Sequence, residues 1–130
     1  MHPSNRPSAA FVGASWAALC AGCATYLIGL WRSDMQMNEK GYYFAIIMYG
    51  LFSAISVQKS VRDRLHDIPV TNLYYGLAWM SLITAISLLV IGLFNASLTS
   101  SEKGFYAMSF GLSLFAAIAV QKNTRDAAGA

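Results

Sequence analysis

Several residues in this 130-residue chain carry side chains capable of chemistry. Cys20 and Cys23 form a Cys-x-x-Cys, a spacing that in a soluble protein serves thiol-disulfide exchange or a soft metal. Met35 and Met37 offer thioethers, and His66 an imidazole. Glu39-Lys40 and Glu102-Lys103 set acid beside base, and Gln58-Lys59-x-x-Arg62-Asp63 and Gln121-Lys122-x-x-Arg125-Asp126 do so again. The remaining parts of a known catalyst are missing. The chain has no phosphate-binding glycine loop, no zinc spacing, and no nucleophile with a base and an orienting acid. The expectation is a protein without enzymatic activity, cofactor or metal site.

The elements that carry these residues explain their poverty of chemistry. Hydrophobic residues make up 56% of the chain and charged ones 12%, against about 45–50% and about 25% in an average soluble domain. Charge is concentrated between uncharged runs at residues 7–31, 41–58, 68–101 and 104–121. Each run reaches the roughly 17 to 25 helical residues that cross a hydrocarbon core. Pro69 and the polar group Asn95, Ser97, Thr99, Ser100 and Ser101 trim the third to residues 73–98. None alternates apolar and polar residues as a barrel strand would, so the runs are expected to be helices. The fold class is therefore all-α integral membrane, with four transmembrane helices.

On this map Cys20 and Cys23 lie mid-span, where a thiolate is costly, and packing is their expected role. Leu19-Cys20-Ala21-Gly22-Cys23 is similar to a lipoprotein cleavage site. The apolar run continues to Trp31, beyond the about 7 to 15 residues of a signal-peptide core, so the first helix is expected to be retained. Arg6, Lys59, Arg62, Arg64, Lys122 and Arg125 fall on one side of the spans, and Arg32, Lys40 and Lys103 on the other. By the positive-inside rule both termini are expected in the cytoplasm. Ala10, Ala14, Ala18 and Gly22 recur every fourth residue, a small-residue stripe suited to close helix contact, which marks the first helix as the expected centre of the bundle.

The strongest internal signal is a repeat. Glu39-Lys40-Gly41-Tyr42-Tyr43 returns as Glu102-Lys103-Gly104-Phe105-Tyr106, an offset of 63 residues (39 to 102). The Gln-Lys-x-x-Arg-Asp motif, Gly29-Leu30 with Gly92-Leu93, and Trp16 with Trp79 keep the same register. Two spans per copy make both copies enter from the same side, so a pseudo-two-fold axis along the membrane normal is expected. Cys20 and Cys23 correspond to Ile83 and Ile86, so a role shared by both copies cannot need the thiols. In the outer motif, Asn38 and Ser101 are expected N-caps, Glu39 and Glu102 favour the positive helix end, and Gly41 and Gly104 permit close approach. The alternative is a polar site made by the two Glu-Lys pairs together. In the inner motif, Lys59 with Asp63 and Lys122 with Asp126 share helix faces, and the motif reads as a headgroup anchor or a cytoplasmic partner site.

A Gly-Leu helix end, then Asn-Glu-Lys-Gly-Tyr-Tyr-Phe, a short span and Gln-Lys-x-x-Arg-Asp resembles the YiaA/YiaB two-helix unit of bacterial inner-membrane proteins. The duplicated organisation is most similar to the YiaA branch of that family. The units run from 9–63 and 72–126, with an N-terminal tail (1–8), a linker (64–71) and a C-terminal tail (127–130). The resemblance implies an inner-membrane location and a two-helix fold repeated in tandem, without assigning an activity. The expected function is a small inner-membrane protein acting through helix, lipid or protein contacts, in envelope maintenance or stress response. The alternative is an oligomeric small transporter or channel. The trimmed spans hold no Asp, Glu, Lys, Arg or His, which favours the first. Membrane lipids and a second copy of the chain are the expected partners, and nucleic acid is not.

Overall fold

The computed structural model describes residues 6–128; residues 1–5 and 129–130, parts of the two tails, lie outside the described residues. Among the described residues the chain folds into four helices, α1 (Ala9–Arg32), α2 (Met37–Leu65), α3 (Asn72–Asn95) and α4 (Ser100–Ala128). All four are long and apolar enough to cross a membrane. The 24 residues of α1 and α3 span about 36 Å at the helical rise of about 1.5 Å per residue, a little more than the hydrocarbon core. α2 and α4 have 29 residues each, so their last two turns extend past the uncharged runs that end at Gln58 and Gln121.

The helix starts repeat with the sequence. Ser8 Oγ accepts from the Phe11 amide and Thr71 Oγ1 from the Tyr74 amide, each 3.1 Å away, satisfying a first-turn donor. α4 begins with a capping box in which the Thr99 amide donates to Glu102 Oε1 and the Glu102 amide to Thr99 Oγ1. The Gln36 amide donates to Glu39 Oε1 in the corresponding place. This corrects the expected N-caps Asn38 and Ser101. Capping occurs two residues earlier, at Gln36 and Thr99, because a carboxylate reaches back to the cap amide from the third helical position.

Pairing of the helices departs from a pair of self-contained hairpins. α1 packs chiefly on α4 and α3 on α2, while α2 and α4 meet between them and α1 touches α2 of its own repeat only sparingly. The repeats are interlaced, and the pseudo-two-fold axis passes between α2 and α4. Tyr43 and its repeat mate Tyr106 stack there with ring centroids 6.1 Å apart and planes at 19°. Both are buried in a core completed by Tyr26, Leu30, Ile46, Ile47, Ala54, Leu89, Leu93, Phe110 and Leu114.

The expected central helix is accordingly corrected: α2 and α4 are central and α1 is peripheral, with 44% and 39% of the most apolar stretches of α2 and α4 buried against 17% for α1. Of its small-residue stripe, Gly22 is buried and Ala18 half-buried, but Ala10 and Ala14 are exposed. A four-residue step advances 40° beyond a full turn, so the stripe winds off the contact, and the buried face of α1 follows Ser15, Gly22, Tyr26 and Leu30 instead. At Gly22 the contact is with both the side chain and the backbone of Ser113, since an added Cβ would lie 2.6 Å from Ser113 Oγ and 3.0 Å from Ser113 N.

Candidate functional site

The two repeated motifs occupy opposite ends of the bundle. At the end holding the loops of residues 33–36 and 96–99, each repeat lends its aromatic pair to the other. Tyr42 lies against Gly92 and donates its hydroxyl to the Leu88 carbonyl at 2.7 Å, whereas Phe105 lies against Gly29 and has no hydroxyl to donate. A Cβ on either glycine would come within 2.7 Å of the ring it faces, so the repeated Gly-Leu keeps its glycine for this crossing. Tyr26, whose repeat mate is Leu89, donates to the Tyr43 carbonyl at 2.8 Å and meets Tyr106 edge-on at 5.6 Å.

Beneath these rings lie two clefts related by the repeat, of about 380 and 300 Å³. Asn38, Glu39, Tyr42, Tyr43, Gly92, Asn95 and Ala96 line one, and each has its repeat mate in the other: Ser101, Glu102, Phe105, Tyr106, Gly29, Arg32 and Ser33. Glu39 and Glu102 line separate clefts that share no residue, and each carboxylate is engaged by its own helix start. Lys40 turns away from Glu39, donating to the Trp31 carbonyl at 3.0 Å with its ammonium 5.7 Å from the Trp31 ring centre. Lys103 is half-buried. At Gly41 and Gly104 an added Cβ would meet nothing within 4 Å, correcting the expectation of close approach there. The close approaches are at Gly22, Gly29, Gly50 and Gly92.

At the other end the inner motif becomes a reciprocal clamp. Asp63 accepts from Lys59 on its own helix at 2.9 Å and pairs with Arg125 of α4 at 2.7 Å. Asp126 pairs with Lys122 on its own helix at 2.8 Å and with Arg62 of α2. Both carboxylates are buried, and Gln58 and Gln121 are half-buried one turn inward. The interface is therefore isologous within one chain, each residue meeting the mate of its partner. A hydrogen bond from Lys59 holds Asp63 below the usual carboxylate range against the cost of burial, and Arg125 adds to it. For Asp126 burial is the largest influence and opposes ionisation, but Lys122 and Arg62 together outweigh it, so this pKa is lowered too.

The remaining residues singled out for chemistry are not brought together. Cys20 is exposed and Cys23 half-buried, both as free thiols on α1. His66 is exposed at the end of α2, Met35 is half-buried and Met37 exposed. Among the described residues no three His, Cys, Asp or Glu are grouped to hold a metal ion. The Arg-Asp pairing across the axis was missed by sequence reasoning, which linked Lys59 to Asp63 and Lys122 to Asp126 within each helix. The signal was present: a duplicated Arg-Asp on two helices that flank a two-fold axis faces its own complement.

Comparison with known proteins agrees with this two-unit architecture. The chain is 57% identical over 120 residues to inner membrane protein YiaA of Escherichia coli (strain K12), covering 92% of this chain and 83% of that one. It is 27% identical over 94 residues to inner membrane protein YiaB of the same organism, covering 72% of this chain and 80% of that one. Uncharacterized membrane protein YubF of Bacillus subtilis (strain 168) is 36% identical over 64 residues, 48% of this chain and 74% of that protein. No solved structure matches the chain. The yiaA/B two helix domain matches twice, at residues 11–63 and 74–126, and this four-helix membrane protein belongs to that family.

Proposed function

We propose that this chain is a non-enzymatic protein of the bacterial inner membrane, with both termini in the cytoplasm, that acts through contacts with lipid and neighbouring proteins. The inner-membrane assignment is supported by the names of its relatives, YiaA and YiaB of Escherichia coli. The observation that carries the rest is how the polar groups within the bundle are used. Among the described residues, every Asp, Glu, Lys, Arg and His lies outside the apolar stretches 7–31, 41–58, 73–98 and 104–121, toward the two ends of the bundle. Between them the hydroxyls of Ser53, Ser109 and Ser113 donate to the carbonyls four residues earlier, so their hydrogen-bonding capacity is turned onto their own helices. A coupled carrier needs ionisable or free polar groups at membrane depth; a scaffold does not.

Proteoliposomes holding the purified chain should show no saturable flux of protons, alkali cations or small anions above empty vesicles. Saturable flux abolished by substitution at Ser113 would overturn the proposal in favour of a transporter. Orientation is tested in a Cys20→Ala/Cys23→Ala background. Gln36→Cys and Ser97→Cys should react with a membrane-impermeant maleimide from outside, and Arg64→Cys should not. Reaction at position 64 in intact cells reverses the orientation. Envelope maintenance or stress response is the setting that fits a scaffold of this kind, and a deletion strain should then lose fitness under detergent or osmotic challenge. Unchanged growth under both removes that role.

A further inference from the structure

α1 and α2 each give their packing face to the other repeat and touch one another only sparingly, and a groove of about 720 Å³ lies between them at the loop end. That lies within the roughly 300 to 1,000 Å³ of small-ligand sites. Leu27, Ile28 and Phe44 make its walls, and Arg32 and Lys40 lie at its rim. Those two cations lie on the side that the proposed orientation makes periplasmic, where the positive-inside bias leaves fewer Lys and Arg. Neither is ion-paired among the described residues, although Arg32 also borders the cleft of Glu102. Lys40 is held at the rim by the Trp31 carbonyl and ring. The second repeat does not reproduce the site: Asn95 stands for Arg32, Phe94 for Trp31, Ser100 for Met37 and Ala107 for Phe44. Among the described residues, only the first copy thus combines an apolar slot with two cations that have no carboxylate partner.

We propose that this groove binds one phospholipid with an anionic headgroup, its acyl chain against Leu27, Ile28 and Phe44 and its phosphate on Arg32 and Lys40. The proposal deepens the lipid-contact reading above and rests on it. Cations near a membrane surface each favour anionic lipid by a few-fold, so two at one rim give a preference of up to roughly thirty-fold. Gly41 offers an independent handle, since it lines the groove and a side chain there would project into open space.

The test uses the full chain, purified and delipidated in neutral detergent, titrated with phosphatidylglycerol or phosphatidylcholine and followed by thermal unfolding and native mass spectrometry. The expected result is tighter phosphatidylglycerol binding. R32Q/K40Q should weaken it by roughly ten- to thirty-fold and leave phosphatidylcholine unchanged. G41L should weaken both lipids. The second-repeat controls K103Q and G104L should stay within about two-fold of the parent. Equal binding of the two lipids, parental affinity in R32Q/K40Q, or an equal loss in K103Q would overturn the site. Displacement by glycerol phosphate alone would remove the acyl-chain half. A missing lipid preference without liposome flux defeats this site only, whereas flux defeats the proposed function whichever lipid binds.

Discussion

Replacing Asp63 by Ala tests whether the clamp joins the two repeats or merely decorates helix ends. The Asp63 side chain is 4% exposed, with Arg125 Nη2 at 2.7 Å and Lys59 Nζ at 2.9 Å. The hydrogen bond from Lys59 is the largest influence on the Asp63 pKa, but the Lys59 side chain is 50% exposed and screened by solvent, and such a pair four residues apart on a helix is worth only about 0.3 to 0.5 kcal/mol of stability. Arg125 is 27% exposed and belongs to the other repeat. Removing one partner of a fully buried pair costs about 3 to 5 kcal/mol, and the partial exposure of Arg125 reduces this to about 2 kcal/mol. The quantity that separates the contributions is the coupling energy from double-mutant cycles, read by reversible unfolding in detergent. Asp63→Ala with Arg125→Ala should couple by about 1 to 3 kcal/mol, and Asp63→Ala with Lys59→Ala by no more than about 0.5 kcal/mol. The Arg62 and Asp126 cycle should match the first by pseudo-symmetry. A Lys59 coupling equal to or above that of Arg125 would refute the inter-repeat clamp.

Gly22→Leu places side-chain volume against the backbone of α4 and should destabilise by about 1 to 3 kcal/mol or prevent assembly. Gly13→Leu, with nothing within 4 Å, should change stability by less than about 0.5 kcal/mol; equal melting temperatures for the two in detergent would sink the assigned contact. Tyr26→Phe removes the donor to the Tyr43 carbonyl and should cost about 0.5 to 1.5 kcal/mol, more than Tyr49→Phe at an exposed position. Cys20→Ser with Cys23→Ser should leave expression, melting temperature and metal content unchanged, and loss of a bound metal or of a redox response would defeat the packing role. Asp63 and Asp126 have folded pKa values below the ordinary 3.8. The stability they contribute is therefore complete above that pH and lost as pH falls through the folded values. Thermal stability should drop below pH 3.8 in the parent, with a smaller drop in Asp63→Ala/Asp126→Ala; equal drops would show that other groups carry the effect.

Reading the sequence located the candidate sites without their partners. Glu39 and Glu102 were recognised as first-turn residues because the helix dipole acts locally, yet their capping role depended on backbone register at Gln36 and Thr99. The groove between α1 and α2 left no trace in the residue pattern, because it is the space that remains when both helices turn to the other repeat. Arg32 and Lys40 were visible as cations on the side with fewer positive charges, but only the tertiary structure set both on the lining of one apolar slot.

By itself the sequence determined that the chain crosses a membrane as four helices and that it does so twice over. Length of apolar run, absence of charge and the offset between copies are properties of the chain alone, and the bilayer converts them directly into spans. Tertiary structure decided which helices touch. In lipid an apolar face gains nothing by choosing protein over acyl chain, so partner choice falls to shape and to a few polar contacts at the ends. Gly22 against Ser113, Gly29 and Gly92 beneath the aromatic rings, and Arg62 and Arg125 on the opposite carboxylates are such contacts. Each joins residues of different repeats, and a pattern read along one helix carries no record of that crossing.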